Sequence, residues 1–175
     1  MTRRLRKQLQ PIFEKHTANQ IVLIGMGNID RADDGAGLMI AEALKREHPR
    51  SVLSEKDRSV ESHVMRLMKN GSVQTVIFID TAHFMESPGS VRLFTMTSVN
   101  QIVPAFSTHQ ISLSLLMETL VQEGKSVCFV GIQPGTTEMM EEMSREMLSA
   151  VEHLIELFHD LFALQKKRKH QEENP

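Results

Sequence analysis

The chain of 175 residues contains one cysteine, Cys128. That count alone excludes an internal disulfide and a cysteine-rich zinc site. Cys128 sits in the apolar run Val127-Cys128-Phe129-Val130, so it is expected to be a buried, unreactive thiol. No apolar run approaches the ~18 residues that a membrane span needs. The basic start of the chain is not followed by the apolar stretch of a secretory leader, so a reducing cytoplasm is the expected location. Excess charge is missing too. A formal net charge of −2 sets up no large field for nucleic acid or an anionic membrane, and neither is an expected partner. There is no internal repeat and no low-complexity linker.

What remains is an ordinary soluble composition, 41% hydrophobic and 24% charged. The length fits a single domain, expected to be monomeric, with a core that needs no covalent staple. Two ends depart from the average. Arg3, Arg4, Arg6 and Lys7 make the start basic, and Lys166, Lys167, Arg168 and Lys169 do the same near the end. Residues 1–20 read as a basic extension and 166–175 as a polar tail, both solvated. A docking patch for an acidic partner is the alternative. The domain proper is then residues 21–165.

Within it, Ile21–Gly25, Val76–Asp80 and Val127–Ile132 are continuous apolar runs, as strands buried on both faces require. Ser90–Thr95 alternates and follows the turn signal Pro88-Gly89, which makes it a candidate antiparallel partner of Val76–Asp80. A weaker strand is expected near Ser51–Glu55. Helical spacing recurs in Gly35–Arg46, Glu61–Lys69, Gln110–Gln122 and Met140–Leu164. The methionines of that last stretch read as core filling. The alternation of strand and helix predicts an α/β fold: three layers, α/β/α, around a twisted, mainly parallel five-stranded sheet.

Ligands of such sheets bind outside the carboxyl ends of the strands. On that rim fall Asp33 and Asp34 after the first strand, Asp80 at the end of the third, His109 in FSTHQ, and Gln133 after the fifth. Gly25-Met26-Gly27 opens like a dinucleotide-binding turn, but Asp30 occupies the place of the third glycine. Asp33 and Asp34 add negative charge where a pyrophosphate would sit. One aspartate suffices to cap the following helix. The other is then left to coordinate a ligand, and either Asp33 or Asp34 can take either part. Gly35 and Gly37 would give a ligand or peptide clearance, and with Gln133 they are the candidate substrate-binding positions.

One aspartate of that pair and Asp80 are the candidate carboxylate ligands. Together with His109 they make a mixed oxygen and nitrogen set suited to a borderline divalent ion such as nickel or zinc, with open positions for substrate or water. Each has a plainer reading: Asp80 as a turn residue, His109 as a packed neutral imidazole. His83, three residues past Asp80, is a further candidate ligand or proton carrier, although a loop histidine is usually neither.

The same residues resemble the endopeptidases that mature NiFe-hydrogenase large subunits. That family's first motif reads Gly-x-Gly-Asn, four variable residues, Asp, Asp or Glu, Gly, x, Gly. Here it is Gly25, Gly27, Asn28, Asp33, Asp34, Gly35 and Gly37. IDTAHFMESPG resembles the second segment, STHQISLSLLMETL the third, and GIQP supports the branch serving hydrogenase 3 of formate hydrogenlyase. The resemblance spans roughly residues 21–155. SEKDRSVES stands where the family commonly has Asp-Gly or Gly-Gly, with Glu61 as a candidate retained acid.

The resemblance implies metal ligands at Asp34, Asp80 and His109, with Asp34 and Asp80 as the catalytic carboxylates, which leaves Asp33 as the expected helix-start group. It implies a hydrogenase large-subunit precursor as partner, with nickel carried by that precursor and no permanent cofactor. The implied reaction is one cut that removes a C-terminal extension. A non-catalytic nickel or precursor chaperone and a Rossmann-like nucleotide binder are the competing readings.

Overall fold

The computed structural model describes residues 2–99 and 113–173. In chain order the elements are α1 (Thr2–Lys15), β1 (Ile21–Gly25), α2 (Ala36–Lys45), β2 (Val52–Ser54), α3 (Val60–Met68), β3 (Thr75–Thr81), β4 (Val91–Thr95), the short α4 (Met96–Val99), α5 (Leu113–Gln122), β5 (Ser126–Ile132) and α6 (Arg145–Glu173). The five strands form one sheet in the order β2-β1-β3-β5-β4. The pairs β1–β2, β1–β3 and β3–β5 are parallel. The three apolar runs are therefore the three central strands, where both faces are covered.

The sheet departs from expectation at one edge. β4 pairs antiparallel with β5, not with β3. Only Phe94 of its five residues is buried, with Val91 and Leu93 against one core and Phe94 in the other, as suits an outer strand. β5 is buried from Cys128 to Ile132 and takes the interior slot beside β3. The connection through residues 82–90 is long enough to step across a strand spacing of ~4.8 Å.

Strand parity divides the core into two. Ile21, Leu23, Ile77, Ile79, Cys128 and Val130 face α1, α2 and α6. Val22, Ile24, Val76, Phe78 and Phe129 face α3 and α5. Successive strand residues point to opposite faces, so a continuous apolar run feeds both layers. This is the expected three-layer α/β/α arrangement. No helix among the described residues is long and apolar enough to cross a membrane.

The segment expected to be a solvated extension contributes to that core. Leu5, Leu9 and Phe13 of α1 are at most 2% exposed. Their i, i+4, i+8 spacing puts them on one stripe. Phe13 meets the edge of Phe162 with ring centroids 5.2 Å apart, and Arg6 pairs with Asp160 of α6. The arginines and lysine that dominate the sequence here occupy the outer face of an amphipathic helix. At the far end of the chain α6 begins at Arg145 rather than Met140. The Ser144 hydroxyl caps it by accepting from Met147 N at 3.2 Å.

Two expected outcomes follow from this packing. Phe13→Ala should lower unfolding stability by about 3–5 kcal/mol, measured by denaturant titration; a solvated extension would give a change near zero. Burial pushes the Cys128 thiol up to about 12. Native protein should therefore resist alkylation at mildly alkaline pH and be labelled stoichiometrically once unfolded.

Candidate functional site

From β1 the chain moves to β2 on one side, while after β3 it moves to β4 and then β5 on the other. The crevice beyond the carboxyl ends of β1 and β3 is thus the topological switch point, where open α/β sheets bind ligands. Both candidate carboxylates lie there. Met26 N donates to Ile79 O at 2.9 Å, which ties the loop after β1 to the end of β3. Gly27 has φ +125°, and a Cβ on it would overlap the Asp34 carbonyl oxygen and come within 3.2 Å of Asp80 Oδ1. Only glycine fits such a left-handed, crowded turn.

Thr81, the last residue of β3, joins the two acids. Its hydroxyl donates to Asp34 Oδ1 at 2.8 Å, and its N–H donates to Asp80 Oδ1 at 2.7 Å. The other oxygen of Asp34, Oδ2, is buried with no hydrogen-bond partner among the described residues. Leaving a buried carboxylate oxygen unpaired is costly unless a cation or proton donor meets it. A third acid borders the pair. Glu55, just past β2, accepts from Gly27 N at 3.1 Å.

Asp33 has another task. It is 0% exposed. Its Oδ2 accepts from Gly135 N at 2.7 Å, Thr136 N at 3.2 Å and Ser144 Oγ at 2.9 Å, and its Oδ1 accepts from Ser144 N at 2.7 Å. The expected capping of its own helix is not what it does. The N-cap of α2 is Gly35, with no side-chain cap. Asp33 instead receives the free N–H end of α6, where the helix dipole favours an anion. With both oxygens engaged, Asp33 does not fit the role of a proton acceptor.

The candidate substrate-binding positions also turn inward. A Cβ on Gly37 would overlap the carbonyl oxygens of Ile79 and Met26, and one on Gly25 would overlap Gly37 O and Ala41 Cβ. Gly35 is buried, and a Cβ on it would come within 3.2 Å of Ile29 Cα. The clearance is filled by the protein's own backbone, which lets α2 sit closely on β1 and β3. Gln133 is 7% exposed. Its Oε1 accepts from Phe84 N at 2.8 Å, and its Nε2 donates to Pro134 O at 3.2 Å. It fastens the loop of residues 82–90 to the end of β5. His83 is exposed on that loop, its ring Nδ1 3.4 Å from Gln133 Nε2. His109 lies outside the described residues.

Sequence reasoning missed Glu55 as a member of the rim. The signal was a carboxylate directly after a strand, as for Asp80, but a strand of three residues is weakly legible. Glu61, by contrast, lies in the first turn of α3. Apolar side chains also stand exposed on the loops after β1 and β5: Ile29 at 67%, Met139 at 60% and Met140 at 85%. Met140 N donates to Asp30 O at 2.8 Å, which seats the two loops together.

The arrangement disfavours phosphate. Glu55 occupies Gly27 N, and Met26 N and Asn28 N are taken by backbone carbonyls. No N–H of the Met26–Asn28 turn is left to cradle an anion, and carboxylates face the place where it would lie. A cation, or a substrate carrying one, suits the same place.

The division between the two adjacent aspartates is measurable. Asp33→Asn puts an amide against several N–H donors and should cost about 3 kcal/mol. Asp34→Asn should change stability by less than about 1 kcal/mol. Chemical denaturation of both variants checks this; equal losses would contradict the assignment.

A sequence model described as HycI, hydrogenase maturation protease, matches residues 59–160, more than half of the chain. The hydrogenase 3 maturation protease of Escherichia coli strain K12 is 25% identical over 132 residues, covering 75% of this chain and 83% of that one. Among solved structures, the NiFe hydrogenase maturation protease HycI from Thermococcus kodakarensis KOD1 superposes with a TM-score of 0.73 at 28% identity. That superposition covers 89% of this chain and 98% of the other. The hydrogenase maturating endopeptidase HybD from Escherichia coli shares the fold, with a TM-score of 0.64 at 19% identity over 85% of this chain and 93% of its own.

Proposed function

The chain belongs to the hydrogenase maturation protease family, and from that premise we propose that it removes the C-terminal extension of a nickel-loaded NiFe-hydrogenase large-subunit precursor. The observation that carries this reading is the buried Oδ2 of Asp34, which has no partner among the described residues, beside Asp80 at the switch point. An acid held in that state is arranged for a cation that arrives with the substrate. No resident cofactor is required.

The chemistry follows from the donor set. Nickel held by the precursor's thiolates keeps open coordination positions. Asp34 and Asp80, with His109 as the third expected donor, fill them when the precursor docks. Carboxylate and imidazole donors engage only a subunit that already carries its metal, so cleavage reports on assembly. The ion then polarises the scissile carbonyl or lowers the pKa of a bound water. Because Asp33 is saturated, the proton acceptor is a carboxylate oxygen of the Asp34–Asp80 pair. The exposed Ile29, Met139 and Met140 offer apolar, adaptable contact to a protein substrate. The proposed setting is the cytoplasm, where thiolate-bound nickel is stable to oxidation.

The direct test is mass spectrometry of precursor mixed with this protein. Nickel-loaded precursor should lose its C-terminal segment, and nickel-free precursor should remain whole. Asp34→Asn should slow the cut by at least ~10²-fold while keeping the fold. Equal trimming of both precursors would refute the metal gate. An untrimmed loaded precursor would favour a binding chaperone instead.

A further inference from the structure

At the opposite end of the domain, three metal-binding side chains converge that the proposed cleavage does not use. Among the described residues, Glu47, His48 and His159 each offer a ligand atom, and these atoms all lie within 4.8 Å of one another. We propose that they form a second metal site, for a borderline divalent cation such as zinc or nickel.

The frame for such a site is rigid. Glu47 and His48 follow α2 directly, and both backbone N–H groups donate to Leu44 O, in its last turn, at 3.2 and 3.0 Å. The His48 carbonyl accepts from Ser51 N and Val52 N, each at 3.0 Å, so the turn feeds directly into β2. That is the amino end of the strands, away from Asp34 and Asp80. The His48 ring is stacked on Phe162 of α6, with centroids 4.1 Å apart and planes 21° apart. His159, one turn earlier on α6, brings its ring to 5.8 Å from that of His48.

The distances are near those that coordination requires. His159 Nδ1 stands 3.7 Å from Glu47 Oε2, and ligand atoms around a tetrahedral zinc lie about 3.3 Å apart. Closing the widest gap needs a rotamer adjustment. Glu47 is free to make it, since its side chain is 65% exposed. An imidazole binds a metal through one nitrogen while its other nitrogen is held by a hydrogen bond, so the packing of His48 is compatible with ligation. Two imidazoles and one carboxylate favour a borderline ion over magnesium or calcium. The bound ion would clip the carboxyl end of α2 to α6. At their other ends the same two helices are joined through Asp33 and Ser144.

The experiment uses the tag-free full chain carrying Asp34→Asn and Asp80→Asn, which silences the carboxylates of the first rim. Equilibrium dialysis against zinc and against nickel should find one bound equivalent, accompanied by a rise in melting temperature. Adding His159→Gln, or Glu47→Gln with His159→Gln, should weaken that binding at least tenfold. Circular dichroism of the metal-free variants should be unchanged, because both positions are partly or fully exposed. The proposal is overturned if the Asp34→Asn, Asp80→Asn protein binds neither ion, or if His159→Gln binds with undiminished affinity.

Discussion

The rim of this domain depends on one buried carboxylate. Asp33 joins three stretches that are distant in sequence: its own loop after β1, the turn at Gly135 and Thr136 after β5, and the start of α6 at Ser144. Every hydrogen-bonding oxygen it has is used in doing so. An anion in that position is stabilised by converging N–H groups and the positive end of a long helix. Once Asp33 is fixed, the next residue is fixed as well. Asp34 is delivered to the end of β3 with one oxygen on Thr81 and the other without a partner among the described residues.

Close backbone packing completes the geometry. Gly25 and Gly37 let α2 approach β1 and β3 more nearly than any side chain would allow, and Gly27 lets the loop turn back over Asp80. The glycines that make the first motif resemble a nucleotide-binding turn therefore act through helix–strand contact. The turn has spent its N–H groups internally, and its ligand face is acidic. On the proposed function, a substrate-borne cation would satisfy the unpaired oxygen; a phosphate would not.

Much of the fold was legible because the central strands are apolar on both faces, and a run such as Val76-Ile77-Phe78-Ile79 admits few other placements. The edges were harder. β2 has only three residues, and β4 takes its partner through a connection whose length does not specify which strand it meets. α1 was concealed by its own charges, since Leu5, Leu9 and Phe13 form a single stripe among arginines and lysine. At the site, the sequence placed Asp34 and Asp80 on one rim by their positions after strands. It could not tell that Asp33 is the buried member of its pair, because its partners lie more than a hundred residues away. Other nonlocal contacts decide that Gly37, against Ile79, and Gln133, against Phe84, support the scaffold and that Glu55, on Gly27 N, joins the rim.

The central claim is that Asp33 holds the frame so that the open oxygen of Asp34 can meet a metal brought by the substrate. Nickel K-edge X-ray absorption tests it most directly. Nickel-loaded precursor would be measured alone and freeze-quenched with the wild-type protein or with Asp34→Asn before turnover. The account predicts added oxygen or nitrogen scatterers around nickel with the wild-type protein, and fewer with the variant. An identical nickel environment in all three samples would contradict it.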